Sequence, residues 1–248
     1  MNKITKSAAF TLIELLVVIS IIAILAGIAL PVFGEVKIRG DQTKALSNAK
    51  QIGTACKIYA TDNNGLYPHL SSYQGDANVT PAEAKAGDSS NKILQNLIPD
   101  YLPDRNIFVN AKSAFTKKYQ TATVNANEPL PESTNEWAYV SGLSDTSNSR
   151  WPLLADGFKP GTEASEPAYD TDEGKPGGIW KGKKAVVIRV DGSGTVETLT
   201  AGKHTVKRTE SDSENAFSTK PGKDGGLTWF TSEGGVYVLN PITPATQN

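Results

Sequence analysis

Phe10-Thr11-Leu12-Ile13-Glu14-Leu15-Leu16-Val17-Val18-Ile19-Ser20-Ile21-Ile22-Ala23-Ile24-Leu25-Ala26-Gly27-Ile28-Ala29-Leu30-Pro31-Val32-Phe33 decides how the chain folds. Of these 24 residues 19 are apolar, and Glu14 carries the only charge. As a helix the stretch would extend roughly 36 Å, more than the hydrocarbon core of a bilayer at about 30 Å. The averages of 38% hydrophobic and 21% charged over 248 residues conceal this segment. A uniform globular enzyme does not fit such a distribution. With 25 basic and 26 acidic side chains and no long run of one sign, a nucleic-acid partner is not expected either.

Outward on the N-terminal side, Lys3 and Lys6 are the only charges in the nine preceding residues. Cationic flanks stay cytoplasmic, which directs the N-terminus inward and the rest of the chain across the bilayer. Three readings fit such a segment: a secretory signal cut after the apolar core, an uncut anchor, and a short leader cut before the core. Gly27-Ile28-Ala29 loosely supplies the small-x-small site of the first. Against it stand Glu14 at the cytoplasmic end and a helical pattern that continues past the supposed cut. Glu14 bears on the other two, because a carboxylate in apolar surroundings needs either a route to the headgroups or a partner.

Lys3, Lys6, Ala9 and the run Phe10-Thr11-Leu12-Ile13-Glu14-Leu15-Leu16-Val17-Val18-Ile19 together resemble the leader and helix start of type IV prepilins and of the pseudopilins of type II secretion. The resemblance implies cleavage by a prepilin peptidase between Ala9 and Phe10, N-methylation of Phe10, and a role for Glu14 in assembly, its carboxylate pairing with a neighbouring subunit's new N-terminus. Ala9 departs from the glycine usual before the cut. The resemblance also implies like pilin or pseudopilin subunits and an inner-membrane assembly platform as partners. The expected location is the bacterial inner membrane, single-pass, and then a periplasmic or cell-surface filament.

Pro31 removes a helical hydrogen bond and Gly27 weakens the turn before it, so a bend is expected at Gly27 to Pro31. Ala45, Ala49, Ile52, Cys56 and Tyr59 then recur at spacings of four, three, four and three, one face of an amphipathic helix, with Lys44, Lys50 and Lys57 elsewhere on it. Cys56, the only cysteine, reads as a small buried hydrophobe. Thr61-Asp62-Asn63-Asn64-Gly65 with Pro68 ends the helix. Tyr59, Asp62, Gly65 and Pro68 are spaced as in segments that follow the helix in many pseudopilin-like proteins, which extends the resemblance to about residue 70.

Residues 63–248 hold 18 glycines and 13 prolines, which excludes long helices and implies short elements. Ser71 to Ser90 reads as a surface loop; Ile93, Leu94, Leu97 and Ile98 read as a short helix stopped by Pro99. Strands are expected at Trp137 to Val140 and Leu153 to Ala155. A hairpin is expected from Ala185 to Leu199 about Asp191-Gly192-Ser193-Gly194, and a second from Leu227 to Leu239. Pro152 to Gly157 and Val187 to Ser193 resemble paired landmarks of the same pseudopilin group, although Trp180-Lys181-Gly182-Lys183 stands where that group often has a histidine.

The expected fold is α+β and pilin-like: a long N-terminal helix, its transmembrane half followed by an amphipathic half, packed on an antiparallel sheet. The boundaries are a leader at 1–9, a membrane or filament-core helix at 10–33, its amphipathic continuation at 34–62, and a polar α+β body at 63–248. His69, expected exposed, and His204 lie in no catalytic motif, and no phosphate loop, nucleotide fingerprint or zinc spacing occurs. No cofactor is expected. Asp170, Asp172 and Glu173 are the best candidate to hold calcium, in a Gly- and Pro-rich loop, with a solvated loop as the plainer reading. The function expected is a structural filament subunit, not an enzyme. The alternative is a membrane-anchored extracytoplasmic enzyme or binding protein that uses the leader only for export, which a reactive triad or deep pocket would favour.

Overall fold

A computed structural model describes residues 11–69, 88–114, 116, 130–162, 166–208, 214–218 and 236–242. The chain forms two compact units, Met1–Asp41 and Gln42–Asn248. A single 51-residue helix, α1 (Leu12–Asp62), contributes its first 30 residues to one unit and the remainder to the other. No other element of the first unit is described.

In the second unit α1 turns one face inward. Ala45, Ala49, Ile52, Cys56 and Tyr59 are all buried, as their spacing predicts, while Lys44 and Lys50 are exposed. The face is built of small residues so that backbone can approach sheet. A Cβ on Gly53 would lie 2.8 Å from Ile188 Cγ2, closer than real side chains tolerate. Ile52 fills the space beside it, and a fully buried side chain of that size contributes about 1.5–3 kcal/mol. Lys57 is half-buried and donates its ammonium to the Asp191 carbonyl, which ties the helix to a turn of the sheet. α1 stops where Asn64 (φ 54°) and Gly65 (φ 80°) adopt the left-handed conformation. The Gly65 amide then closes back on the Ala60 carbonyl at 2.8 Å, a helix stop of the type expected.

The sheet has five strands in the order β4-β3-β2-β1-β5, every neighbouring pair antiparallel. In chain order these are β1 (Trp137–Ser141), β2 (Pro152–Asp156), β3 (Lys184–Arg189), β4 (Gly194–Thr198) and β5 (Tyr237–Leu239). β1 and β2 are buried at every residue and β3 at its four central ones, so both faces of the sheet are covered at its centre. The hairpin about Asp191 is formed by β3 and β4, with Val186 opposite Val196. Residues 227–231, the first arm of the other expected hairpin, lie outside the described residues. Its second arm is β5, which pairs with β1 through Tyr139 opposite Leu239.

A short helix, α2 (Ser90–Leu94), runs into a 3-10 turn at Gln95–Leu97 and buries Ile93, Leu94 and Leu97, in keeping with the spacing. Residues 71–87 of the expected surface loop lie outside the described residues, and its end departs from expectation. Ser89 and Ser90 are buried rather than solvated, because Ser90 begins α2 and donates its hydroxyl to the Trp137 carbonyl at 2.7 Å.

Around that junction the core is polar. Asn91 Nδ2 donates to the carbonyls of Leu130 (2.9 Å) and Pro131 (3.1 Å), and its Oδ1 accepts from Asn135 Nδ2 (3.1 Å) and the Ile242 amide (3.0 Å). Asn240 accepts from the Phe158 amide at 2.8 Å and donates to the Phe158 carbonyl at 2.9 Å. These amides fasten β5 and the residues after it across α2, β1 and the segment following β2.

Candidate functional site

Between Leu12 and Ile38 every large apolar side chain described on α1 is 39–80% exposed. A soluble monomer rarely leaves an apolar patch of that size in water, so this surface is built for lipid or for other chains. α1 is long and apolar enough to cross a membrane by length and composition. Ser20, a polar residue inside the stretch, turns its hydroxyl back onto the Leu16 carbonyl at 2.8 Å and so presents no free donor.

Glu14 stands at the start of this surface. Its Oε2 accepts from the Thr11 amide at 2.8 Å and from the Thr11 hydroxyl at 2.7 Å, while the Glu14 amide donates to Thr11 Oγ1 at 3.2 Å. Thr11 is thereby the N-cap and Glu14 its reciprocal partner three residues on, a capping box that satisfies two of the helix's unpaired amides. The Thr-x-x-Glu spacing signals this in the sequence; attention to the charge alone misses it. Glu14 keeps one oxygen outside the box. Ala9 and Phe10, the expected cleavage and methylation positions, lie outside the described residues. Gly27 and Pro31 both fall within α1, and a Cβ on Gly27 would meet no neighbour.

In the body, the acidic loop is occupied by lysines. Glu173 pairs with Lys112 and with Lys181 (2.9 Å), and these two ammonium groups hold its carboxyl below the usual range. Asp170 accepts from the Asp172 amide at 2.9 Å and faces Lys159 at 3.6 Å. Partial burial raises its pKa, but that amide and Lys159 outweigh the effect. Asp172 accepts from the Gly174 amide at 2.9 Å. Among the described residues no three His, Cys, Asp or Glu side chains converge as metal ligands would.

The two histidines serve backbone positions. His204 Nδ1 lies 2.8 Å from the Gly182 carbonyl. His69, expected exposed, is half-buried, and burial lowers its pKa. The reason is local: its carbonyl accepts from Asn96 Nδ2 at 2.9 Å, which draws the residue onto the turn after α2. Cys56 is fully buried, and loss of solvent drives its thiol far above the normal range, away from thiolate chemistry.

An open groove of about 850 Å³ runs between α1 and Tyr101–Ile107, with Leu46, Ile58 and Ile107 among its walls. Its titratable groups are Lys50, Tyr101 and Asp104, with no nucleophile beside a base. The sequence landmark Pro152–Gly157 acquires a structural reason here. Asp156 ends β2 fully buried, and its Oδ2 accepts from Trp180 Nε1 at 2.8 Å and from the Val186 amide at 2.6 Å. Trp180 thus holds the segment before β3 to the end of β2.

Residues 4–30 match the family described as the prokaryotic N-terminal methylation motif. The chain is 41% identical over 59 residues to the type IV major pilin protein PilA of Myxococcus xanthus, a match covering 24% of this chain and 27% of that protein. It is 37% identical over 68 residues to the type II secretion system core protein G of Vibrio cholerae serotype O1, covering 27% of this chain and 46% of that protein. The matched segment thus spans about a quarter and just under half of these relatives' lengths. No solved structure matches the chain significantly. The N-terminus carries the methylation motif, and it is followed by an α+β body in which α1 packs on an antiparallel sheet.

Proposed function

We propose that the chain is a structural subunit of a type II secretion pseudopilus or a type IV pilus-like filament, assembled through α1. The observation that carries this reading is the apolar surface from Leu12 to Phe33, interrupted by one carboxylate, within a segment that matches the methylation motif. On this reading the chain waits in the inner membrane with its N-terminus cytoplasmic and its body outside. A prepilin peptidase cuts between Ala9 and Phe10 and methylates Phe10, and an inner-membrane platform assembles the mature chain beside like subunits. Gly27 and Pro31 are the place where α1 bends or lengthens as it leaves lipid. The body is a packing and surface unit rather than an enzyme.

Mass spectrometry of the protein recovered from its native cell is expected to give a chain that begins at N-methylated Phe10. A chain beginning at Met1 or at Leu30 overturns the pathway. The body is also read as metal-independent, because lysines neutralise Glu173 and backbone amides occupy Asp170 and Asp172. Thermal unfolding is therefore expected to be the same with EDTA as with added calcium. A calcium-dependent rise in the transition would show that the loop gives up its lysines for the ion.

A further inference from the structure

Two carboxyl groups outside the assembly segment sit where charge is least tolerated. Glu136 is 1% exposed and Asp156 fully buried, one just before β1 and the other at the end of β2: Asp156 is opposite Trp137 in the β1–β2 register, and the Gly157 amide donates to the Glu136 carbonyl at 2.7 Å. Three of their four carboxyl oxygens, both of Glu136 and Oδ1 of Asp156, have no hydrogen-bond donor in good geometry. Neither residue enters an ion pair among the described residues.

The groups that face them are polar or acidic. The Ser113 and Thr116 hydroxyls lie against Glu136, from the segment after the 3-10 turn Arg105–Phe108. Trp180 and the Val186 amide face Asp156, and the buried, unpartnered Tyr169 hydroxyl lies in the field of Asp156 and Glu197. Glu136 also feels the negative field of Asp156 as a cost of ionising, and no cation among the described residues offsets it.

We propose that Glu136 and Asp156 are a set of two proton-loaded carboxyls, each in its own buried setting, that makes the body a pH-responsive unit, tight while both are protonated and loosened at the β1–β2 seam as they ionise. Burial, the dominant cause, pushes Glu136 up to about 8 and Asp156 up to about 7. Both values are raised above those of the unfolded chain. The stability they contribute is therefore fully present below about pH 4 and is lost as pH rises through about 7 to 8. The pair is independent of the filament reading, since it lies wholly within the second unit.

The test is urea unfolding of the full-length chain in detergent micelles, followed by tryptophan fluorescence between about pH 5.5 and 6.5. Each carboxyl that is protonated in the fold and ionised in the unfolded chain raises the unfolding constant roughly tenfold per pH unit in that window. Glu136→Gln and Asp156→Asn imitate the protonated forms, and the second keeps a side-chain oxygen to accept from Trp180. The expected result is a wild-type slope of log unfolding constant against pH that exceeds the double variant's by nearly two, with each single variant between them. A difference below about one half overturns the proposal. If the double variant fails to fold, infrared titration of the wild type decides. A protonated-carboxyl band that persists to neutral pH and fades in alkali supports the pair, and its absence from the folded chain at about pH 6 overturns it.

Discussion

A Glu14→Ala chain is expected to be cut and methylated like the wild type, yet to enter filaments at less than about a tenth of the wild-type level. Two properties are lost together in that variant. Alanine cannot accept from the Thr11 amide and hydroxyl, so the first turn of α1 loses its capping box. It also removes the only charge between Phe10 and Phe33, and with it the group able to pair with a neighbour's ammonium in an interior without water. Glu14→Gln separates the two effects, because glutamine still completes the box but carries no charge. If charge pairing selects the register of assembly, the glutamine variant fails as the alanine variant does. The measurement is the fraction of chain in sheared, sedimented filaments, with N-terminal mass spectrometry to establish that processing is intact. Incorporation of Glu14→Ala at the wild-type level would remove Glu14 from the assembly mechanism.

The second large effect is expected at Asn91. Asn91→Ala breaks four hydrogen bonds, two buried and two part-buried, and leaves the Leu130 and Pro131 carbonyls, the Asn135 side-chain amide and the Ile242 amide without that partner. Leaving a buried polar group unsatisfied costs about 1–3 kcal/mol, and relaxation absorbs part of the sum, so a loss of about 3–5 kcal/mol is expected. Urea unfolding of the full chain in micelles measures it, and a loss under about 1 kcal/mol would mean that solvent or repacking already serves these groups. A surface asparagine such as Asn106, whose Nδ2 bonds to the neighbouring Asp104 side chain, is the control.

What the sequence discloses here follows the range of the interaction. The buried face of α1 is legible from Ala45, Ala49, Ile52, Cys56 and Tyr59 because helical periodicity is a local property. β3 and β4 are legible because an apolar, β-branched run meets an Asp-Gly turn. The pairing of β5 with β1 is not, since nothing near Tyr237 names a partner about a hundred residues earlier. The polar core escapes for the same reason. Asn91, Asn135 and Asn240 look like ordinary turn residues until the fold gathers them. Glu136 and Asp156 flank apolar strand residues in a way that reads as surface, and only the sheet's two covered faces put them indoors. At the N-terminus the motif itself is readable, while the capping role of Thr11 needs the helix start to be seen.

The position of β5 beside β1 also sets an order of events for a chain whose body, on the proposed topology, crosses a membrane. Until Tyr237–Leu239 has emerged, β1 lacks one neighbour, and until Asn240 and Ile242 follow, the amides that fasten α2 and the Phe158 segment have nothing to hold. The β3–β4 hairpin can close early from local contacts, but the sheet as a whole has to wait for residues far downstream. On the proposed topology, translocation delivers an open, unfinished body, and the final click of the fold is timed by export rather than by synthesis.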